Sequence, residues 1–396
     1  MTTVAVAALA SALATCSGPV PPTVDRPLVR APDMHSISFG IEDVADPEQD
    51  WDAVRQRLEA VNANAVTLAA GRPEFVAFDW DAHPETAAES GRDHLAHAIA
   101  ETARGPGDEP RLVDLVIDAL IPRWIENEPS VAGVAEDGSR SRYTPSASAV
   151  HHGPVGKRYL ELVGELARRY QPDQITFTEL KFDDETFGDD DAALYREMTG
   201  AHDWPRLPDG SINEEAPEIA DWRSRVLADF LDRAGDVLDD VAAETGKRPT
   251  LAMDVLINWE DPEAGRPEAG LSYPLLAEHA DRLVLWAYLA SDNRTAAELE
   301  TVAAALADAD APADGFTMSV GLWDHRAGPR GRISPQDMAG AVRAVQAHGI
   351  TSVNVTPYDL MSDAYWAALS DVWTELPPTS PSPESSPAGS SPAESQ

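Results

Sequence analysis

The sequence contains very little cysteine and lysine, and both shortages limit what the protein can be. A single cysteine, Cys16, excludes an internal disulfide bond and any metal site built from several cysteines. Lysine occurs only at positions 157, 181 and 247, whereas aspartate and glutamate total 68 and the formal net charge is -38. Such an acidic surface repels phosphate backbones, so we expect no nucleic-acid partner. Hydrophobic residues fill 43% of the 396 positions, enough for one large domain or two ordinary ones.

The apolar segment near the N terminus is too short to span a bilayer. Residues 4–14 are eleven small, mostly apolar residues, the length of the hydrophobic core of a secretory signal peptide. The tetrapeptide LATC that ends at Cys16 resembles a bacterial lipobox, although Thr15 replaces the usual Gly or Ala and no basic residue follows the initial Met. Residues 17–34 form a Pro-rich tether. We therefore expect a secreted protein that is lipid-anchored through Cys16 at the outer face of the cell membrane. An incidental cysteine in an N-terminal helix is the alternative.

The central part of the sequence alternates between strand and helix patterns. Each of eight short β-branched or apolar runs is followed by a segment with helical periodicity, as βα units require. The eight predicted strands cover residues 35–43, 64–70, 111–121, 174–178, 250–257, 282–287, 315–322 and 350–355. Eight such units close a (β/α)8 TIM barrel.

Two other architectures are less consistent with this pattern. An open doubly wound sheet usually carries a glycine-rich phosphate loop after its first strand, and no G-x-G-x-x-G motif follows Phe39. A solenoid requires repeats at a fixed period, which the sequence lacks. We therefore predict a single α/β domain over residues 35–376, with an insertion at about 186–217. Residues 377–396 contain only Pro, Ser, Thr, Glu, Ala, Gly and Gln, which predicts a disordered tail.

Carboxylates and aromatic rings occur where the predicted strands end. Because the carboxyl ends of all eight strands surround one pocket in a TIM barrel, these side chains become candidates for binding. Sugars require this pairing, since aromatic rings stack on pyranose faces while acids bond hydroxyl groups and catalyse acetal chemistry. The candidate substrate-binding residues are Glu42, Asp43, Arg72, Asp118, Trp286, Tyr288, Trp323, Asp324 and Tyr358.

Several of these candidates also have a purely structural interpretation. Trp286 and Trp323 could cap the barrel core, and Arg72 could form a structural ion pair. For Asp118 a functional role is favoured over a structural one, because a carboxylate within an apolar strand is costly to bury. We expect no metal site, since the adjacent histidines 151 and 152 have no third partner at ligand spacing. We expect no cofactor either.

The fourth predicted strand carries the most distinctive pattern in the chain. Its residues are Tyr170, Asp173, Ile175, Phe177 and Glu179, followed by Phe187 and Gly188. The pattern resembles the strand-four signature Y-x-x-D-G-I-x-F-D-D-Y, leading to F-G, of the bacterial glycoside-hydrolase-like barrels, the "hypothetical glycosyl hydrolase" families, which are often lipoproteins. Here Gln174 replaces the Gly, and Thr178-Glu179 replaces Asp-Asp. The resemblance implies a (β/α)8 fold, an oligo- or polysaccharide ligand, and Glu179 in the place of the second acid.

These observations predict a glycosidase acting on an extracellular or cell-envelope polysaccharide. Glu179 is the predicted general acid, with Asp254 as its partner and Asp184 as the alternative partner on the loop above. The competing hypothesis is a carbohydrate-binding surface lipoprotein that has lost the chemistry. Two carboxyl groups facing each other across an open pocket would favour the enzyme, whereas acids all paired with Arg or Lys would favour binding. A metal-dependent hydrolase is disfavoured, because few of the ten histidines lie near strand ends.

Overall fold

The computed structural model describes residues 33–308, 315–328 and 330–374. The lipobox-like segment with Cys16, most of the Pro-rich tether and the C-terminal tail lie outside these described residues. Within the described ranges, no helix combines the length and the apolar character needed to cross a bilayer.

Eight parallel strands form a closed barrel, which confirms the predicted fold class. Their bounds are β1 His35–Phe39, β2 Ala65–Arg72, β3 Leu112–Asp118, β4 Gln174–Thr178, β5 Thr250–Leu256, β6 Arg282–Ala287, β7 Phe316–Gly321 and β8 Val353–Thr356. The ring closes because β1 pairs with both neighbours, His35 with Val353 on β8 and Ser36 with Ala65 on β2. A two-residue strand, Phe75–Val76, adds an antiparallel hairpin to the end of β2.

A helix follows each strand and packs on the outside of the barrel. The bounds are α1 Trp51–Ala60, α2 His94–Thr102, α3 Pro154–Tyr170, α4 Pro217–Thr245, α5 Tyr273–Leu276, α6 Ala296–Asp308, α7 Pro335–Gln346 and α8 Asp363–Thr374. The ends of these helices carry local signals, such as the capping box of Ser334 and Asp337 that begins α7. α3 ends where Gln171 takes a left-handed conformation at φ 47°.

The hydrophobic core lies between the strands and the helices. Side chains alternate across each strand, so the residues that face the helices occupy every second position. On five of the strands these outward residues are fully buried: Ile37, Leu68, Leu115, Phe177 and Met318. The inward residues between them are mostly polar, and this arrangement positions the site described below.

The structure differs from the predicted elements in two loops that border the barrel mouth. The first strand ends at Phe39, because Gly40 caps a short helix, Ile41–Val44. Residues 122–152, where none of the eight strands was predicted, contain a short helix, Pro122–Asn127, whose first backbone N–H groups donate to the Glu74 carboxylate. The same segment contains a hairpin of Ala132–Val134 with Arg140–Pro145 and a helix, Ala147–His151.

The insertion after β4 is anchored by aromatic packing. It contains a helix, Asp189–Thr199, and a loop that leads to α4. Trp204 from this loop lies against Trp222 of α4, with ring centroids 5.3 Å apart, and both side chains are buried. The two tryptophans therefore hold the insertion to the barrel.

Candidate active site

A cavity of about 680 Å³ opens at the carboxyl ends of the strands. Trp323 and His325 line its outer part, and Glu42, Arg72 and Asp118 line its walls. This volume lies within the range of ordinary small-molecule sites.

The end of β2 directs an arginine into this cavity. Pairing of β2 with β3 shifts register between Ala69 and Gly71, a β-bulge of the kind that re-aims side chains. Gly71 has φ 119°, and a Cβ there would lie 2.2 Å from the carbonyl oxygen of Phe75, so only glycine fits. The bulge places Arg72 Nε 2.7 Å from Asp118 Oδ2, to which it donates.

Asp118 is the last residue of β3 and is held on both oxygens. Its Oδ1 accepts from the backbone N–H of Leu120 at 2.8 Å, while Oδ2 takes the bond from Arg72. Burial raises the pKa of Asp118, and the Arg72 guanidinium acts against this rise. Asp118 and Arg72 thus form a partly exposed ion pair on the cavity wall.

Glu179 follows β4 directly and adopts an unusual backbone conformation. Its φ is 58°, in the left-handed region, which costs a non-glycine residue free energy and occurs most often at functional sites. Its side chain lines the cavity, and Oε2 accepts from the Lys181 ammonium at 2.5 Å. The same ammonium lies 5.7 Å from the ring centroid of Trp286. Glu179 is therefore ion-paired.

Asp254 on β5 has no such cation pair among the described residues. Burial raises the pKa of its carboxyl group from 3.8 to about 7. The Thr178 hydroxyl and the Trp286 indole act in the opposite direction, while the charges of Asp114 and Glu179 raise the pKa further. A carboxyl group with this pKa is partly protonated near neutral pH, as a general acid must be.

Three aromatic rings form one wall of the cavity. Trp286 and Tyr288 are stacked, with ring centroids 5.2 Å apart and planes 4° from parallel, and Trp323 lies 5.2 Å from Tyr288. Tyr288 packs directly on β7 at Gly321. A Cβ at this position would lie 2.2 Å from the tyrosine ring, so only glycine leaves room for it. The wall presents flat apolar surface beside Asp254, whose carboxyl group interacts with the Trp286 indole.

Eight of the predicted site residues line the cavity: Glu42, Arg72, Asp118, Glu179, Asp254, Trp286, Tyr288 and Trp323. Four others do not. Asp43 accepts from the backbone N–H of Gly40 at 2.9 Å, and Asp324 bonds Arg326. Tyr358 stacks on Phe39, and Asp184 is exposed on its loop. In each case the local loop or short helix, rather than the strand end, determines where the side chain lies.

Asp114, which lies deeper in the barrel, is not among the residues predicted from the sequence. Its carboxylate accepts from the hydroxyls of Thr176 at 2.8 Å and Thr67 at 3.3 Å. Burial raises its pKa to about 6. The signal was present in the sequence: Asp114 is four residues before Asp118 on the same strand, so both face the same side.

The described residues do not bring together three or more His, Cys, Asp or Glu side chains in a way that could hold a metal ion. His151 instead pairs with Asp229, with 3.0 Å between Nε2 and Oδ2, and its ring contacts His152.

No family model and no curated protein matches the chain. Solved structures do, and they are related to it in fold. The glycoside hydrolase domain of PgaB (BpsB) from Bordetella bronchiseptica has a TM-score of 0.66 and 18% identity, with 86% of this chain and 99% of that chain covered. This likeness confirms an eight-stranded barrel of the kind found in glycoside hydrolase domains, as the strand-four pattern implies.

Two longer enzymes have similar barrels. The GH42 β-galactosidase Gan42B from G. stearothermophilus has a TM-score of 0.61 and 15% identity, covering 86% of this chain and 56% of that chain. The α-L-fucosidase isoenzyme 2 from Paenibacillus thiaminolyticus has a TM-score of 0.59 and 15% identity, covering 87% of this chain and 49% of that chain. The chain thus spans about half the length of these two proteins. The fold of the chain is that of glycoside hydrolase barrels.

Proposed function

We propose that the protein is a glycoside-hydrolase-like enzyme that cleaves an extracellular or cell-envelope polysaccharide, from a position anchored to the membrane through Cys16. The observation that carries the proposal is the carboxyl group of Asp254. It lies in an open cavity, burial raises its pKa to about 7, and a second carboxylate, Glu179, is close enough to contribute to that rise. Hydrolysis of a glycosidic bond requires two carboxyl groups of which one is protonated at working pH.

The surroundings of the two groups suggest how the roles divide. Asp254 would act as the general acid and transfer its proton to the leaving oxygen as the glycosidic bond breaks. Glu179, held in its ion pair with Lys181, would be the carboxylate that activates water or attacks the anomeric carbon itself. This division reverses the roles that the sequence alone suggested for the two residues.

The remaining groups of the cavity suit a sugar ring. The stacked rings of Trp286 and Tyr288 offer a flat surface for the apolar face of a pyranose. On another wall, the Arg72–Asp118 pair presents donors and an acceptor to hydroxyl groups. The similar structures, a glycoside hydrolase domain, a β-galactosidase and an α-L-fucosidase, are in keeping with a carbohydrate ligand.

A second candidate function is binding of the polysaccharide without cleavage. Two observations favour it: Glu179 is paired with Lys181, and Asp118 is paired with Arg72. Carboxylates held in ion pairs can still accept hydrogen bonds from the hydroxyl groups of a sugar. The unpaired, buried Asp254 weighs against it, because such a carboxyl group is costly to keep unless it is used.

The two functions are separated by assaying binding and hydrolysis together on a panel of soluble polysaccharides and oligosaccharides. We expect the wild type to release reducing ends from one of them. Asp254→Asn and Glu179→Gln should each keep binding but lower kcat by roughly 10²-fold or more. Matched substitutions of exposed acids outside the cavity, Asp371→Asn and Glu263→Gln, should leave both unchanged. Binding without any turnover by the wild type would support the second candidate, and no binding at all would contradict both.

A further inference from the structure

The interior of the barrel is unusual in its small, polar lining. In most TIM barrels, layers of bulky branched side chains fill this space. Here the cavity continues inward from the carboxylates and reaches the N-terminal halves of the strands. We call this deep end the inner chamber and define it by six lining residues: Ser36, Thr67, Asp114, Gln174, Thr317 and Asn354.

Two polar atoms in the inner chamber make no hydrogen bond with any described residue. They are Oε1 of Gln174 and Oγ1 of Thr317, and these side chains are only 3% and 4% exposed. The other end of the Gln174 amide is fixed, since Nε2 donates to Thr176 Oγ1 at 3.0 Å. Buried polar atoms nearly always have a partner, because leaving one unpaired is costly. Both residues line the cavity, so a ligand group that enters the inner chamber can supply the missing bonds.

The charge in the inner chamber is balanced. Asp114 contributes the carboxylate, and the positive charge of Arg282 acts on it from nearby and lowers its pKa. The other defining side chains are uncharged hydroxyls and amides. Neither a cation nor an anion is favoured by such a lining. A hydroxyl group fits it better, since it can donate to Gln174 Oε1 and accept from the Thr317 hydroxyl.

The far end of the inner chamber is closed by buried side chains. Met34, Gln174 and Arg282 are each at most 3% exposed, so a ligand group enters from the side of Asp254 and the aromatic rings. A closed chamber of this kind accepts a substituent of a sugar ring, because the chain itself would need room to continue beyond it.

We propose that the inner chamber is a subsite for the hydroxymethyl group of a sugar residue of the polysaccharide. The inference rests on the proposed function for the identity of the ligand as a sugar. It adds the part of the sugar that is recognised.

The test compares hexoses with their 6-deoxy counterparts, using glucose, galactose and mannose as the parent sugars. Binding to the full-length protein is measured by calorimetry or saturation-transfer NMR. We expect the wild type to bind one parent sugar about tenfold more tightly than its 6-deoxy form, the effect of about one ligand hydrogen bond. Thr317→Val removes the hydroxyl at nearly constant volume and should reduce this ratio, because the ligand hydroxyl then keeps only its bond to Gln174. Thr317→Ser restores a hydroxyl and should restore the ratio.

A matched control is Thr301→Val, at an exposed position on α6 outside the cavity, which should keep the wild-type ratio. If the wild type binds a parent sugar and its 6-deoxy form equally well, this inference is overturned while the proposed function stands. The wild-type comparison gives this answer even if Thr317→Val fails to fold. If the wild type binds no sugar in either panel, both proposals are overturned.

Discussion

Replacing Asp254 by asparagine should stabilise the protein at neutral and alkaline pH. The folded state raises the pKa of this carboxyl group from 3.8 to about 7, chiefly by burial. The folded protein therefore keeps a proton that the unfolded chain releases, and stability falls as pH rises from about 4 to about 7. Below about pH 4 the Asp254 carboxyl group is protonated in both the folded and the unfolded state, so no stability is lost. Above about pH 7 it is ionised in both states, and the full cost of burying the charge lowers the stability.

The size of this cost follows from the same two pKa values. At 1.36 kcal/mol per pH unit, the interval between 3.8 and about 7 corresponds to about 4 kcal/mol. Because the carboxyl group borders an open cavity, solvent reduces the cost, and we expect about 2–4 kcal/mol. Asparagine has nearly the same shape, cannot ionise, and avoids this cost.

The measurement is the free energy of unfolding in urea for wild type and Asp254→Asn between pH 4 and pH 8.5. The free energy of unfolding of the variant should exceed that of the wild type by an amount that grows up to about pH 7 and then levels off. Asp371→Asn, at an exposed helical position, controls for the loss of one negative charge from a chain of net charge -38. Parallel curves for wild type and Asp254→Asn, or a variant less stable than wild type at pH 8, would refute the reasoning.

Three further predictions concern other parts of the molecule. Gly321→Ala should displace Tyr288 from its stack, since the added Cβ would approach the ring to 2.2 Å, and we expect weaker sugar binding and a lower Tm in thermal melts. Arg72→Met should raise the pKa of Asp118 further by removing its counter-charge, visible by NMR titration, with a loss of about 1 kcal/mol in urea unfolding. Cys16→Ala should move the protein from the membrane fraction to the soluble fraction or medium. Unchanged fractionation would contradict the lipid anchor.

The sequence was sufficient to predict the barrel because each βα unit carries its own local signals. The strand at Gln174–Thr178 is observed with the predicted bounds, and so is the one at Arg282–Ala287. The strand ends were harder to predict where a loop forms structure of its own. Gly40 starts a short helix that includes both Glu42 and Asp43, and only the first of these reaches the cavity.

The electrostatic character of the site could not be predicted from the positions of its residues. The sequence placed Glu179 and Asp254 at neighbouring strand ends, but it did not show that Lys181, two residues after Glu179, turns back to pair with it. Glu179 also has a left-handed backbone conformation. This conformation is uncommon for a residue other than glycine and could not be predicted from the sequence. The division of roles between the two carboxyl groups therefore required the structure.

The alternation of side chains along each strand separates stability from function in this barrel. On β4, Phe177 points outward into the fully buried core, while Thr176 and Thr178 point inward and line the cavity. Removing an outward side chain leaves a hole in close-packed apolar surroundings, so Phe177→Ala should cost about 3–5 kcal/mol. Removing the inward hydroxyl of Thr178, which is partly exposed at the cavity, should affect ligand affinity more than folding. Because the core lies outside the ring of strands, the interior does not have to supply apolar packing. It is therefore available for the polar groups on which both proposals depend.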